Sequence, residues 1–497
     1  MNVRHALVRN TAWYGLVTTV GVVSGLVMSI VLARGLGPAL MGDLSYVIWA
    51  ERTLTAMATL GYAFATVRYT AESFGREEVD RAWGFVRLFM RGQLVMTALV
   101  TLAVTPIVVG FADAHLRAPL LVIVATLSFV TIEGIYTHAL QGAQRYDITA
   151  RTSTLKMALQ LVVAALAIAL GVGLPALLAG MGITLAVSCW LQRRRVHEVY
   201  AAGLRAPPAP MTAEVRAYLL PLSIVAVLDA IVWDRSPVFF LGLHASSEAI
   251  AFYSLAFGLA TRVMIVPGIV AGALLPALAA LHGGGAPEEF EDLYRSALRY
   301  VALAGAPLAA IVAALGPGVI LWLYGAAYLP AAPLVGALAG VALLSALRAV
   351  VWTALRAVGD RSCALVATAV AAVVNLGLAA TLVPRWTTAG AVIATSAAQL
   401  TATAWVFAGM QRRYRTRLPL ADLARIAAAG ALTFVVTWAM AGDFRDPLRL
   451  VAAAVLGFAV YLLACVAARL VGPREWGLLT TSTRRLLQAR GRNRVAA

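Results

Sequence analysis

Charge is scarce in this sequence. Only 13% of its 497 residues are Asp, Glu, Lys or Arg, while 61% are hydrophobic. Soluble proteins carry about a quarter charged residues, so a water-soluble enzyme is excluded at the outset. Cysteine is scarcer still: Cys189, Cys363 and Cys465 all lie inside apolar runs. Three scattered thiols make neither a disulfide framework nor a zinc site, and they read as small hydrophobes within helices. Lysine occurs once, at Lys156, and acidic residues number 23 against 40 basic ones, for a net charge of +17. That balance ordinarily points to nucleic acid, but it sits on a chain far too apolar for that reading, so no nucleic acid partner is expected.

What the sequence has in abundance is long apolar runs. A helix needs ~20 apolar residues to cross the hydrocarbon. Fourteen such runs are predicted, at about 12–34, 45–66, 84–110, 118–140, 153–172, 174–191, 217–241, 250–281, 297–315, 331–353, 363–383, 389–409, 424–441 and 450–470. The fold class is therefore an all-α integral membrane protein with about fourteen transmembrane helices. The first run is too long for a cleaved signal peptide, and no small-residue cleavage site follows it.

Orientation follows from the basic residues. With both termini in the cytoplasm, 27 of the 40 fall on the cytoplasmic side, including Arg193, Arg194 and Arg195, the set Arg412, Arg413, Arg415 and Arg417, and a basic tail. These loops also attract anionic headgroups, so membrane lipids are expected partners. External connections stay within about 15 residues, and the longest internal one, 192–216, has about 25. No segment is long enough to house a catalytic domain, and the chain is not expected to be an enzyme.

The chain carries traces of a duplication. Trp190-Leu191-Gln192-Arg193-Arg194-Arg195 closes the sixth span and Met410-Gln411-Arg412-Arg413-Tyr414-Arg415 the twelfth. Ala139-Leu140-Gln141-Gly142 ends the fourth and Ala354-Leu355-Arg356-Ala357 the tenth. Met41-Gly42-Asp43-Leu44-Ser45 and Ile250-Ala251-Phe252-Tyr253-Ser254 read as matching outer loops. The predicted organisation is an N-lobe of helices 1–6 (residues 1–195), a cytoplasmic linker (196–216) and a C-lobe of helices 7–12 (217–415). Helices 13 and 14 with the basic tail make up 416–497. Six helices per copy relate the two by an axis along the membrane normal, with a substrate site expected between them.

Ionisable residues inside spans cost ~2.5–3.5 kcal/mol each near a helix centre and are functional candidates. Arg52 and Arg262 occupy corresponding spans two and eight, while Arg87 with Arg91 and Arg295 with Arg299 are i, i+4 pairs in spans three and nine. Glu133 in span four has Arg348 in span ten as its counterpart. Arg87 and Arg295 lie close enough to the cytoplasmic edge to snorkel; Arg52, Arg262 and Arg348 lie deeper. Lys156 fits either a snorkelling or a cavity role. Arg52, Arg262, Arg348, Arg91, Arg299 and Lys156 are the candidate cationic cavity, suited to a phosphate or pyrophosphate. Glu133 and Glu51 are candidate ion-pair partners within it, Glu133 for Lys156 or Arg91. Asp229 and Asp234 on span seven, Asn375 on span eleven and Thr395 on span twelve offer oxygens for a small cation or proton. The alternative is plain interhelical hydrogen bonding.

The sequence also resembles a known family. Leu32-Ala33-Arg34-Gly35-Leu36-Gly37-Pro38, followed by Gly42 and Ser45-Tyr46, is similar to the opening motif of bacterial polysaccharide (O-antigen, Wzx-type) flippases. Leu60-Gly61 with Arg68-Tyr69, Trp233-Asp234-Arg235 leading to Leu241-Gly242, and Tyr253-Ser254-Leu255-Ala256 continue the likeness. Leu323-Tyr324-Gly325 with Tyr328, and Gly390-Ala391, extend it into the second half. Ala251-Phe252-Tyr253 departs from the commoner Gly-Tyr-Tyr-like turn, with little consequence for the reading.

The resemblance implies membership of the superfamily that also holds multidrug/cation antiporters and lipid II flippases, and a pair of six-helix lobes with alternating access. It further implies a polyprenyl-pyrophosphate-linked oligosaccharide as substrate, carried from the inner to the outer leaflet of the bacterial cytoplasmic membrane for surface polysaccharide biosynthesis. Arg52 and Arg262 take, by this likeness, the pyrophosphate-engaging role. No cofactor is implied beyond a coupling Na+ or H+, and other polysaccharide assembly proteins are implied as partners. A lipid II flippase and a multidrug/cation antiporter of the same fold are the alternatives.

Overall fold

The computed structural model describes residues 3–233, 236–264, 267, 274–414 and 416–470. Among them are fifteen α-helices and no strand. In chain order the helices are α1 (Val3–Thr59), α2 (Tyr62–Gly75), α3 (Val79–Phe111), α4 (Ala114–Gly142) and α5 (Tyr146–Ala169). There follow α6 (Leu174–Val199), α7 (Ala213–Trp233), α8 (Pro237–His244), α9 (Ser247–Val263) and α10 (Leu275–Gly283). The last five are α11 (Pro287–Leu323), α12 (Ala332–Ala357), α13 (Arg361–Tyr414), α14 (Leu420–Ala441) and α15 (Pro447–Ala467). The described residues of the fourteen predicted spans fall almost wholly on helices, the second on α1 and α2, the seventh on α7 and α8 and the eighth on α9 and α10. Two helices, α1 with 57 residues and α13 with 54, are each long enough for two crossings.

The expected outer loops at 41–45 and 250–254 are helical instead. The chain turns earlier in both places. Gly37 takes φ 74 and ψ 172 within α1, a conformation without steric cost only for glycine. Pro38 then starts the next helical stretch, where its missing N–H is not needed. Ahead of α9, Ala245 is extended at φ −133 and ψ 168. A corresponding break inside α13 falls at Thr387, three residues after Pro384.

Once α1 resumes, Gly42 lies directly against the start of α9. A Cβ at Gly42 would stand 1.6 Å from the Ser247 carbonyl oxygen. The next residue, Asp43, accepts a hydrogen bond from the Ser247 hydroxyl at 2.5 Å. The motif glycines thus serve a turn and a backbone crossing.

The chain divides into two compact units, Met1–Leu255 with Thr368–Ala398, and Ala256–Ala367 with Gln399–Ala497. In the first, one core cluster is aliphatic, built on Leu32, Leu44, Val47, Leu120 and Leu177. Another is aromatic and gathers Tyr69, Phe85, Phe89, Tyr136 and Tyr200 where α2, α3, α4 and α6 meet. Tyr69 and Phe85 stack at 4.8 Å, and the Tyr200 hydroxyl donates to the Ala139 carbonyl at 2.9 Å. Lipid tails are as apolar as leucine, so membrane helices are joined by packing and interhelical hydrogen bonds. Gln93 accordingly donates to the Ala58 carbonyl at 2.8 Å, and Thr97 meets Thr131 at 3.0 Å.

In the second unit α11 supplies Tyr294, Leu298 and Val301 at helical spacing to a core shared with Val350, Val351 and Leu355 of α12. The two last helices pack onto α11. Gly430 of α14 faces Ala306, and the Tyr461 hydroxyl of α15 donates to the Leu303 carbonyl at 2.9 Å.

Candidate functional site

Arg52 is exposed on α1, within the second predicted span, and Glu51 beside it is half-buried. Arg262 lies half-buried in the last turn of α9. Arg348 on α12 places Nη2 3.4 Å from Gln399 Oε1 and its guanidinium 5.5 Å from the centre of the Trp352 ring. Gln399 also accepts from the Ser345 hydroxyl at 2.8 Å, so the amide oxygen is oriented toward both. Arg299 turns to its own unit: it donates to the Leu470 carbonyl at the end of α15 and lies 3.7 Å from Asp422 of α14.

Glu133 is the most heavily partnered carboxylate within the spans. It is 6% exposed and accepts from Lys156 Nζ at 2.9 Å on each oxygen. Of its two candidate partners the structure therefore selects Lys156. Ser188 donates to it at 2.6 Å and Gln192 at 3.2 Å, while Thr137 donates to the Gln192 amide oxygen at 2.8 Å. Ser188, Gln192 and Thr137 were not singled out from the sequence. The available signal was three polar residues at a helical spacing within apolar spans. Bringing Lys156 of α5 and Ser188 of α6 to one carboxylate on α4 satisfies every charge without exposing it to lipid.

Arg91 is exposed near the start of α3, a turn beyond Arg87, whose Nη1 donates to the Ala206 carbonyl at 2.8 Å. Both line a cleft with Trp83, Tyr136, Arg193 and His197. Among the candidate cation ligands, Asp229 is half-buried on α7, and Asn375 on α13 is 1% exposed. Thr395, also on α13, shares a 2.7 Å hydrogen bond with the Tyr253 hydroxyl of α9, and both are buried. Asp234 lies outside the described residues. Cationic side chains held inside apolar helices are suited to an anion whose other end remains in hydrocarbon.

Comparison with known proteins bears on the family and the fold. The family described as "Polysaccharide biosynthesis protein" matches residues 7–282, more than half of the chain. A second family, "Lipid II flippase MurJ", matches residues 243–445. Among solved structures, lipid II flippase MurJ in an inward closed conformation superposes with a TM-score of 0.71 at 14% identity, covering 92% of this chain and 98% of that one. An inward-facing multidrug resistance MATE family transporter of the MOP superfamily gives 0.66 at 16% identity, covering 79% and 95%. A MOP superfamily transporter from Pyrococcus furiosus, described as having a binding pocket of reversed polarity, gives 0.60 at 16%, covering 82% and 95%. No curated protein matches the sequence. At these identities the structural likenesses establish the fold. The chain is a multi-pass membrane protein with the fold of MOP superfamily transporters, and it belongs to the polysaccharide biosynthesis protein family.

Proposed function

We propose that the protein is a flippase that moves a polyprenyl-pyrophosphate-linked oligosaccharide from the inner to the outer leaflet of the bacterial cytoplasmic membrane. The observation that carries this reading is the retention of Arg52, Arg262 and Arg348 within predicted apolar spans. Such charges are costly in lipid and persist where they act. A guanidinium presents a rigid fork of donors to phosphate oxygens and stays charged at any physiological pH. The pyrophosphate enters from the inner leaflet, its polyprenyl tail remains in hydrocarbon, and the arginines replace headgroup hydration.

Access then alternates between leaflets, and release follows when the arginine grip weakens. Asp229, Asp234, Asn375 and Thr395 are the candidate oxygens for a coupling Na+ or proton, which shifts the equilibrium by its differential affinity for the two states. No bond is made or broken. Both termini lie in the cytoplasm in this reading, because the basic residues concentrate there.

The match of residues 243–445 to the lipid II flippase family favours a second reading, lipid II as the substrate. One experiment separates them. The gene is expressed in cells lacking their own oligosaccharide flippase and, separately, in cells depleted of their lipid II flippase. Restored surface polysaccharide in the first strain alone supports the proposal, with Arg52→Ala and Arg262→Ala abolishing it at normal membrane levels. Rescue of the second strain alone overturns it, and full export by both variants removes the arginines from the mechanism.

A further inference from the structure

The cleft between the basic ends of α3, α4 and α6 belongs to the first unit alone, and its composition is unusual. Its cavity of about 210 Å³ is lined by Trp83, Arg87, Arg91, Tyr136, Arg193 and His197, without a carboxylate. A water occupies about 30 Å³ of liquid, so the space holds several waters or one phosphate group. A wider recess of about 500 Å³ adjoins it, sharing Arg193 and His197 and adding Trp190, Arg194 and Glu198. Glu198 is committed to Arg195 at 2.8 Å, which leaves the recess strongly positive.

Trp83 closes one wall of the cavity with its ring, packed 5.4 Å from His197, and three guanidinium groups, those of Arg87, Arg91 and Arg193, stand around the space. The surface leading to the cleft is apolar in a directed way. On α6, Ile183, Val187 and Trp190 are 66%, 39% and 53% exposed and share one helical face with Arg194. On α3, Val95, Leu99 and Leu102 are 59%, 54% and 72% exposed and lie above Arg91 in the same manner. Each stripe runs from acyl-compatible side chains to arginine, and the α6 stripe includes Trp190, a residue type enriched at membrane interfaces.

We propose that this cleft binds the phosphate of an anionic phospholipid, with its acyl chains along the α3 and α6 stripes and its headgroup among Arg91, Arg193 and Arg194. The Trp83 ring forms part of the wall of the site. Arg87 is fixed by its bond to the Ala206 carbonyl and contributes charge from the floor. Arg91, one of the candidates for the pyrophosphate cavity, is on this reading a phospholipid ligand instead, and the site draws on none of Arg52, Arg262 and Arg348.

Native mass spectrometry of the purified protein tests this. With phosphatidylglycerol and phosphatidylcholine supplied together, wild type retains phosphatidylglycerol selectively. Each arginine near a headgroup is good for about fivefold in affinity, so Arg91→Gln with Arg193→Gln lowers retention by about thirtyfold. Arg412→Gln with Arg417→Gln removes the same charge from the other unit and leaves retention unchanged. Arg194→Gln by itself lowers retention by about fivefold. It stands as the independent variant should the arginine pair fail to fold.

Retention equal to wild type in any folded arginine variant of the cleft overturns the site. Excess inorganic phosphate is the remaining arm. Failure to displace the lipid supports a headgroup site. Phosphate binding without any lipid retention overturns the lipid assignment in favour of a free anion.

Discussion

Lys156, the only lysine in the sequence, directs its ammonium at both carboxylate oxygens of Glu133, 2.9 Å from each. The pair joins α5 to α4, and Ser188 and Gln192 draw α6 into the same knot. The Glu133 side chain is 8% exposed and that of Lys156 21%, so removing one partner leaves the other charge largely buried.

Glu133→Gln and Lys156→Met should therefore each destabilise the protein by about 2–4 kcal/mol, chiefly through the charge left behind. The double variant should recover much of the loss, because it removes both charges together. Thermal melting in detergent of the two single variants and the double one measures the coupling. Additive losses would show that the two residues do not act as a pair.

Stability should also respond to acid through Asp360, in the turn before α13. Its carboxylate, 8% exposed, accepts from the Ser362 hydroxyl at 2.8 Å, the Cys363 backbone N–H at 3.1 Å and Arg413 at 2.7 Å. Burial alone would raise its pKa, but these donors outweigh burial and hold the carboxyl below the usual carboxylate range. A carboxyl depressed on folding stabilises above its unfolded pKa of about 3.9 and loses that contribution as pH falls through the folded value. Wild type should outlast Asp360→Asn in melting temperature at neutral pH, and the difference should shrink as the medium is taken below about pH 4. A difference that stays constant across that range would deny Asp360 its ionic role.

The turn and the crossing at the start of the motif are separable. Gly37→Ala forces a β-carbon into a positive-φ backbone and should cost about 1–2 kcal/mol. Gly42→Ala has ordinary backbone angles to meet but must displace the Ser247 carbonyl, which also breaks the Asp43–Ser247 hydrogen bond. It should cost about 1–3 kcal/mol by overpacking. On the proposed function, surface polysaccharide export should fall further for Gly42→Ala than its melting temperature alone accounts for. Proportionate effects for the two variants would reduce the crossing to a purely structural contact.

The buried pair Tyr253 and Thr395 tethers α9 to the second half of α13. Tyr253→Phe preserves packing and removes one hydrogen bond, for a loss of about 0.5–1.5 kcal/mol. Thr395→Val removes the same hydrogen bond and should cost a similar amount. Melting curves of the two variants check this, and a loss in neither would show that the bond contributes nothing to stability.

Much of the helical layout was legible in the sequence, because each crossing is a long run of side chains that only hydrocarbon or a packed helix face can accommodate. The class of the family was legible as well, since Gly37, Pro38 and Gly42 are demanded by backbone geometry that other residues cannot meet. The loops expected at 41–45 and 250–254 were misplaced because a turn needs only one residue out of helical φ/ψ, and helix resumes immediately after it. Arg299 could not be separated from Arg91 by spacing alone. One meets Asp422 and a backbone carbonyl, the other opens on a cleft, and that difference is made by helices far away in the chain.

Composition and periodicity by themselves determined that this chain is a bundle of membrane helices with arginines inside it, for the transfer free energy of each side chain is a local property. Which arginine meets a carboxylate and which faces a cavity were decided only when the helices packed. Those outcomes depend on distances of a few ångströms between residues tens or hundreds of positions apart, and no one-dimensional pattern encodes them.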